Sequence, residues 1–251
     1  MDDILGVRPG LTYEEAANLV LCSHELLLVN QDTSRRISDF QTYGHAVRQG
    51  FTARFARERV QRTPQQIMRD MSDAAIARGS NRVVREVLPG ESRWSIGTIG
   101  VPGAERVISL AREEWFAEGH NPTIAGLGQA LIQKYGTPTD MFRDFNGKGS
   151  LSLSWKYDRQ GQPRSGLPCT GTVAPDGGVN YAQPCSLTVN AWILPLPDNP
   201  EIASHFDVGV SAENDGYERI VATEQALQAL DAQRRAQQVR QATRNAATPE
   251  L

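Results

Sequence analysis

Two cysteines carry the most definite chemistry in this 251-residue chain. Cys169 and Cys185 bracket TGTVAPDGGVNYAQP, a span poor in helix formers and rich in turn residues. A disulfide closing it would remove about 3 kcal/mol of unfolded-chain entropy and would persist in an oxidising compartment. The alternative is two unrelated thiols. Cys22 falls beside Val20 and Leu21 in a helical pattern and is expected to be a small buried hydrophobe.

The other reactive side chains are scattered. None of His24, His45, His120 and His205 has a second histidine or a glutamate at metal-binding helical spacing, so neither a metal site nor a cofactor is expected. Arg164-Ser165-Gly166 lies in a loop without the strand–turn–helix setting of a nucleophile elbow. Gly97-Thr98-Ile99-Gly100 precedes a strand, where no helix N-terminus could hold a phosphate. Glu113 and Glu114 are adjacent on an extended segment and must point to opposite faces. A hydrolase would need a site gathered from dispersed groups such as His45, His120, Asp140 and Asp144.

Arginine is the habitual cation, with 23 Arg against 3 Lys. Residues 35–93 hold twelve Arg and six Asp or Glu, a local net of +6. Nothing interleaves aromatics with these cations as a single-strand platform would. The formal charge of −3 and a pI near 5.9 argue against a dedicated nucleic-acid binder. Arg48, Arg54, Arg57 and Arg59, with Arg234 and Arg235 near the C-terminus, are the candidates for contact with an anionic partner surface.

Thr12-Tyr13-Glu14-Glu15 is a capping box opening a helix that carries Ala16, Ala17, Val20 and Leu21. Short strands are expected at Leu26–Val29 and at Phe51–Phe55, a helix over 64–78, and two strands at Trp94–Thr98 and Arg106–Trp115. Asn121 is the expected N-cap and Pro122 the first residue of a helix with Ile124, Leu127, Leu131, Ile132 and Tyr135 on one stripe. Gly126 and Gly128 weaken it by about 1 kcal/mol each, which points to close approach of a sheet.

Gly136 and Pro138 end that helix, and a turn at 146–149 leads to Leu151, Leu153, Trp155 and Tyr157 alternating with polar residues. Cys185 to Ile193 alternates likewise, Pro195, Pro197 and Pro200 form a rigid exit, and Phe206, Val208 and Val210 mark one more strand. From Tyr217 a long helix carries a seam of Ile220, Leu227 and Leu230, which dissolves beyond Asp231 into a projecting distal half.

Two stretches resemble known families. LGVRPGLTYEEA (5–16) resembles the Gly-Met-Ser/Thr-x-Glu-Glu-Ala helix opening of small bacterial envelope domains, the outer-membrane assembly lipoproteins and the β-lactamase inhibitory proteins. ALIQKYGTPTD (130–140) resembles the helix exit of the same group. The order of elements is also similar to uncharacterised exported proteins of Gram-negative bacteria. The resemblance implies a helix pair packed on an antiparallel sheet, in duplicated or inserted form, and an exported, non-catalytic recognition protein.

The expected fold is therefore α+β: antiparallel sheet packed by helices, residues 1–216 forming the body with a sub-boundary near 90–120, and 217–251 a C-terminal helix and tail. Met1-Asp2-Asp3 lacks a basic and an apolar leader region, which fits either a mature periplasmic form or a cytoplasmic protein. No run approaches the roughly 20 apolar residues of a spanning helix. The expected partner is another envelope protein or a second copy, met by protein–protein recognition; an oligomerising scaffold built on the terminal helix is the further alternative.

Overall fold

The computed structural model describes residues 2–31, 37, 40–56, 63–65, 68–69, 87–144, 149–173, 175, 179 and 181–245. Eight strands form one antiparallel sheet in the order β1-β2-β3-β4-β8-β7-β6-β5. The first four are β1 (Leu27–Gln31), β2 (Gly50–Phe55), β3 (Ser92–Ile99) and β4 (Arg106–Trp115). The others are β5 (Asp140–Arg143), β6 (Leu151–Asp158), β7 (Cys185–Leu196) and β8 (Asn199–Ala212). Three helices are described: α1 (Tyr13–Ser23), α2 (Ile124–Tyr135) and α3 (Glu213–Asn245). The fold is α+β with a long C-terminal helix, and no described helix is long and apolar enough to cross a membrane. The helix expected over 64–78 and the turn at 146–149 fall largely outside the described residues.

The same order of elements occurs twice. α1 leads into the meander β1–β4, and α2 leads into the meander β5–β8, with β4 and β8 paired at the centre. Each helix is capped by a threonine, Thr12 and Thr123, and each cap bridges to the last strand of its own half, at Arg106 and at Ile202. Counting six residues on from each bridge reaches Arg112 and Val208, which are direct cross-strand partners. That is the relation a two-fold axis through the middle of the sheet requires. The axis makes β1 and β5 equivalent outer edges.

The alternating strands send one set of side chains to a common face. Phe51, Ile96, Leu110, Val210, Val189 and Trp155 stand in one line across six strands. α1 lays Tyr13, Ala16 and Val20 on this face, and α2 adds Ile124, Leu131 and Tyr135. Trp94, Trp155 and Phe51 are fully buried there, and burial of the Phe51 ring alone stabilises the fold by about 3 kcal/mol. Thr12 closes the expected capping box: its hydroxyl accepts from Glu15 N at 3.1 Å, and Glu15 accepts from Thr12 N at 2.8 Å.

Several details differ from expectation. Thr123, not Asn121, caps α2, because Asn121 and Pro122 are held to β8: Asn121 Nδ2 donates to Ala203 O at 2.8 Å, and Ala203 N donates to Pro122 O at 2.9 Å. Of the two helix glycines only Gly128 meets the sheet, where a Cβ would stand 2.8 Å from Leu151 Cδ2; Gly126 is exposed. Cys22 is exposed, since the buried stripe of α1 passes through Val20 and a residue two places on points the other way. The prolines make no rigid exit: β7 continues through Pro195 to Leu196, and a tight turn at Pro197-Asp198 starts β8.

The opposite face carries α3. Leu227 packs with Phe40, Ile99 and Ile108 in a second cluster, joined by Tyr43, Val47 and Ile220. Ile108 reaches this face through a bulge. Gly97 pairs with Ser109 and Thr98 with Val107, leaving Ile108 as the extra residue, so that Ile108 and Ser109 both turn to this face while Val107 and Leu110 serve the first core. The buried seam of α3 is Gly216, Thr223, Leu227 and Asp231; Leu230 lies outside it, 42% exposed. From Ala232 to Arg244 every residue is exposed, so the distal half projects as expected.

Candidate binding groove

The expected disulfide is present, joining Cys169 to Cys185 with Cα atoms 5.8 Å apart. The described ends of the loop it closes, 169–173 and 181–184, lie on the second face of the sheet, over small residues. Gly209 sits where any Cβ would stand 2.2 Å from Thr172 O, and Thr172 N donates to Ser211 Oγ at 3.1 Å. Tyr181 reaches Ser109 with its hydroxyl, 3.2 Å from Oγ, and packs its ring on Gly216 in the first turn of α3. Glycine and serine in the central strands thus let a loop backbone rest directly on the sheet.

Glu213, the first residue of α3, fastens this loop. Its carboxylate is fully buried and accepts from Gly171 N at 3.0 Å, from Ala182 N at 3.2 Å and from the Thr188 hydroxyl. Burial pushes its pKa up, and the bonds from Thr188, Ala182 and Gly171 only partly oppose that. Glu213 lies close to both sulfurs, but these are oxidised to the disulfide and are not available as thiolate ligands.

Beside the strapped loop, the second face opens into a groove of about 620 Å³ over β5, β6 and β7. Cys169, Thr170 and Val173 form its loop side. Phe142 and Trp192 stand within it, 68% and 42% exposed. Phe142, Ser152 and Trp192 are direct cross-strand partners, so the two rings flank a serine. Asn190 is oriented by a bond from Ser154 Oγ at 2.7 Å and by its own donation to Thr170 O at 2.9 Å. Lys156 pairs with Asp140 at 3.4 Å.

The outer edge of β5 adjoins this groove, and among the described residues no strand pairs with it. Asp144 N donates to Ser150 O at 3.0 Å, which makes Arg143–Leu151 and Met141–Leu153 non-hydrogen-bonded pairs. Met141 and Arg143 therefore direct N–H and C=O away from the sheet. Met141 is 66% exposed on one face and Phe142 stands on the other.

The arginine candidates are placed as follows. Arg48 is engaged within the fold, donating from Nη2 to Glu105 at 2.9 Å and from Nη1 to Glu14, with its guanidinium 4.4 Å from the Tyr13 ring centroid. Burial alone would raise Glu105, but Arg48 and backbone N–H donors outweigh it and hold the carboxyl below its usual range. Arg48→Ala is expected to cost about 2 kcal/mol by leaving Glu105 buried without its cation, a loss readable by urea unfolding. The contribution of this pair also fades as pH falls through the lowered Glu105 pKa.

Arg54 is exposed on the second face of β2, in line with Arg93. Arg57 and Arg59 lie outside the described residues. Arg234 and Arg235 both bind Asp231, and Arg234 also donates to Tyr43 O at 3.5 Å, tying the middle of α3 to the body.

The dispersed hydrolase residues do not converge. His45 belongs to the segment packed near Ile108 at the start of β4, while His120 follows the end of that strand; ten residues of strand span about 30 Å. Asp140 opens β5 and Asp144 follows its last residue. Sequence reasoning missed a different carboxylate pair, Glu113 and Asp207, which face each other across β4 and β8. Both oxygens of Glu113 are engaged, one by Trp115 Nε1 and one by Arg93. Comparison of the chain with protein-family models, with curated proteins and with solved structures found no match in any of the three.

Proposed function

We propose that this is a non-catalytic recognition protein of the periplasm or cell envelope, which binds another envelope protein by adding a strand of it to β5. The observation that carries this reading is the edge of β5, with which no described strand pairs: Met141 and Arg143 turn their N–H and C=O outward there, and the side chains of Met141 and Phe142 are exposed. An exposed apolar edge strand is a template for pairing and is a hazard unless something covers it. Strand addition supplies main-chain bonds for affinity and side-chain contacts for selectivity. β1, the equivalent edge, also exposes an apolar side chain, Leu28, but places polar Asn30 where β5 has Phe142.

The disulfide supports an oxidising compartment. The packing of α1 and α2 on one sheet face accords with the helix-pair domains that residues 5–16 and 130–140 resemble. Met141→Pro removes one outward N–H without touching the β5–β6 ladder, so it is expected to abolish capture of the partner from envelope extract while leaving the melting temperature within a few degrees. Undiminished capture by this variant would refute the reading.

A further inference from the structure

The geometry points to a second binding site on the face of the sheet, sharing only Phe142 with the β5 edge: a slot between Phe142 and Trp192 that takes the pyranose ring of a neutral saccharide. The two aromatic residues occupy the same cross-strand row with Ser152 between them. Two strand spacings separate their backbones by about 10 Å. A ring sandwiched between two others needs about 7–8 Å from plane to plane, at carbon–carbon contact of about 3.5–4 Å on each side. The backbone spacing therefore leaves room for one six-membered ring with its substituents.

The distribution of polarity selects the kind of ring. The walls are aromatic, while the floor is the hydroxyl-bearing Ser152. Along the slot axis, one end offers Asp144 and Ser150, and the other offers Ser154 with Asn190 fixed by its two bonds. An occupant must present C–H groups on both faces and hydrogen-bonding groups around its rim. A pyranose has that pattern. A prolyl or phenyl ring has apolar faces but would leave the polar floor and ends facing carbon. Among the described lining residues the one cation, Lys156, is paired with Asp140, so these residues do not favour a sulfated or phosphorylated sugar.

The strapped loop gives the slot its rigidity. Thr170, next to Cys169, holds Asn190, and the disulfide and Glu213 hold Thr170 in turn. A polar group placed in advance binds at lower ordering cost.

The test titrates the full chain with a panel of neutral trisaccharides (maltotriose, cellotriose and N,N′,N″-triacetylchitotriose) by calorimetry and by tryptophan fluorescence. At least one is expected to bind saturably. Trp192→Ala and Ser152→Leu, the second filling the slot, should each weaken it at least about tenfold with melting temperatures near that of the parent. Met141→Pro should bind the sugar as the parent does, which separates this site from strand addition at β5. Absence of binding across the panel, affinity unaltered in both slot variants, or occupation of the slot by a proline-rich peptide that sugars do not displace would each overturn the proposal.

Discussion

Glu213→Ala is expected to destabilise the protein by about 4 kcal/mol, the largest effect of any single substitution considered. The side chain is fully buried and satisfies Gly171 N, Ala182 N and the Thr188 hydroxyl together. Removing it strands three donors between the loop, β7 and the start of α3, at about 1–3 kcal/mol each before water enters the cavity. Glu213→Gln tests the charge separately. It keeps one oxygen acceptor but turns an amide N–H₂ toward a backbone donor, and a loss of about 1–2 kcal/mol is expected.

The two forms should also differ in pH dependence. The folded-state pKa of Glu213 lies above its ordinary 4.5, so the folded chain holds the proton more tightly than the unfolded one. Its contribution is most favourable below 4.5 and is lost as pH rises through the raised folded value. Against the glutamine variant, the parent should therefore gain relative stability as pH is lowered across that window. Urea unfolding at several pH values measures this difference.

Reducing the disulfide, or replacing both Cys169 and Cys185 by serine, is expected to cost about 3 kcal/mol, the entropy of a loop closed over a separation of 16 residues. The effect should reach beyond the loop. Thr170 positions Asn190, and Thr172 rests on Gly209 at the centre of the sheet. Amide exchange should consequently rise in β7 and β8 as well as in 169–173, while α1 and α2 on the other face keep their protection. Thiol titration in denaturant without reductant should find one reactive group, Cys22, against three after reduction.

Much of this architecture is legible along the chain, and what is hidden has a common cause. The alternation of Leu151, Leu153, Trp155 and Tyr157 is a local signal and appears as β6; the Thr12–Glu15 box is equally local and opens α1. The short strand β5 holds only DMFR, too few residues for a period to show. Asn121 looks like a cap until β8 claims it, and Cys22 looks buried until Val20 fixes which side of α1 faces the sheet.

The candidate site was harder still to see. Phe142, Ser152 and Trp192 become a row only when β5, β6 and β7 are set side by side in register. Glu113 meets Asp207 only because β4 pairs with β8 and not with its successor in the chain. The doubled plan itself rests on equivalent backbone bridges at Thr12 and Thr123, between two segments whose side chains differ. Arginine abundance drew attention to Arg48, Arg234 and Arg235, whose charges are engaged by Glu14, Glu105 and Asp231 within the fold.

The pseudo-two-fold supplies an internal control for the claim that β5 is the recognition edge. Val29 on β1 and Met141 on β5 hold equivalent places, each the direct partner of the next strand inward, at Ala53 and Leu153. A photo-crosslinking residue placed at each position in turn, activated in envelope extract and read by mass spectrometry, compares the two edges directly. One defined partner peptide is expected to be joined at position 141 and little at 29. Equal yields at both edges, or cross-links at 29 alone, would contradict recognition at β5.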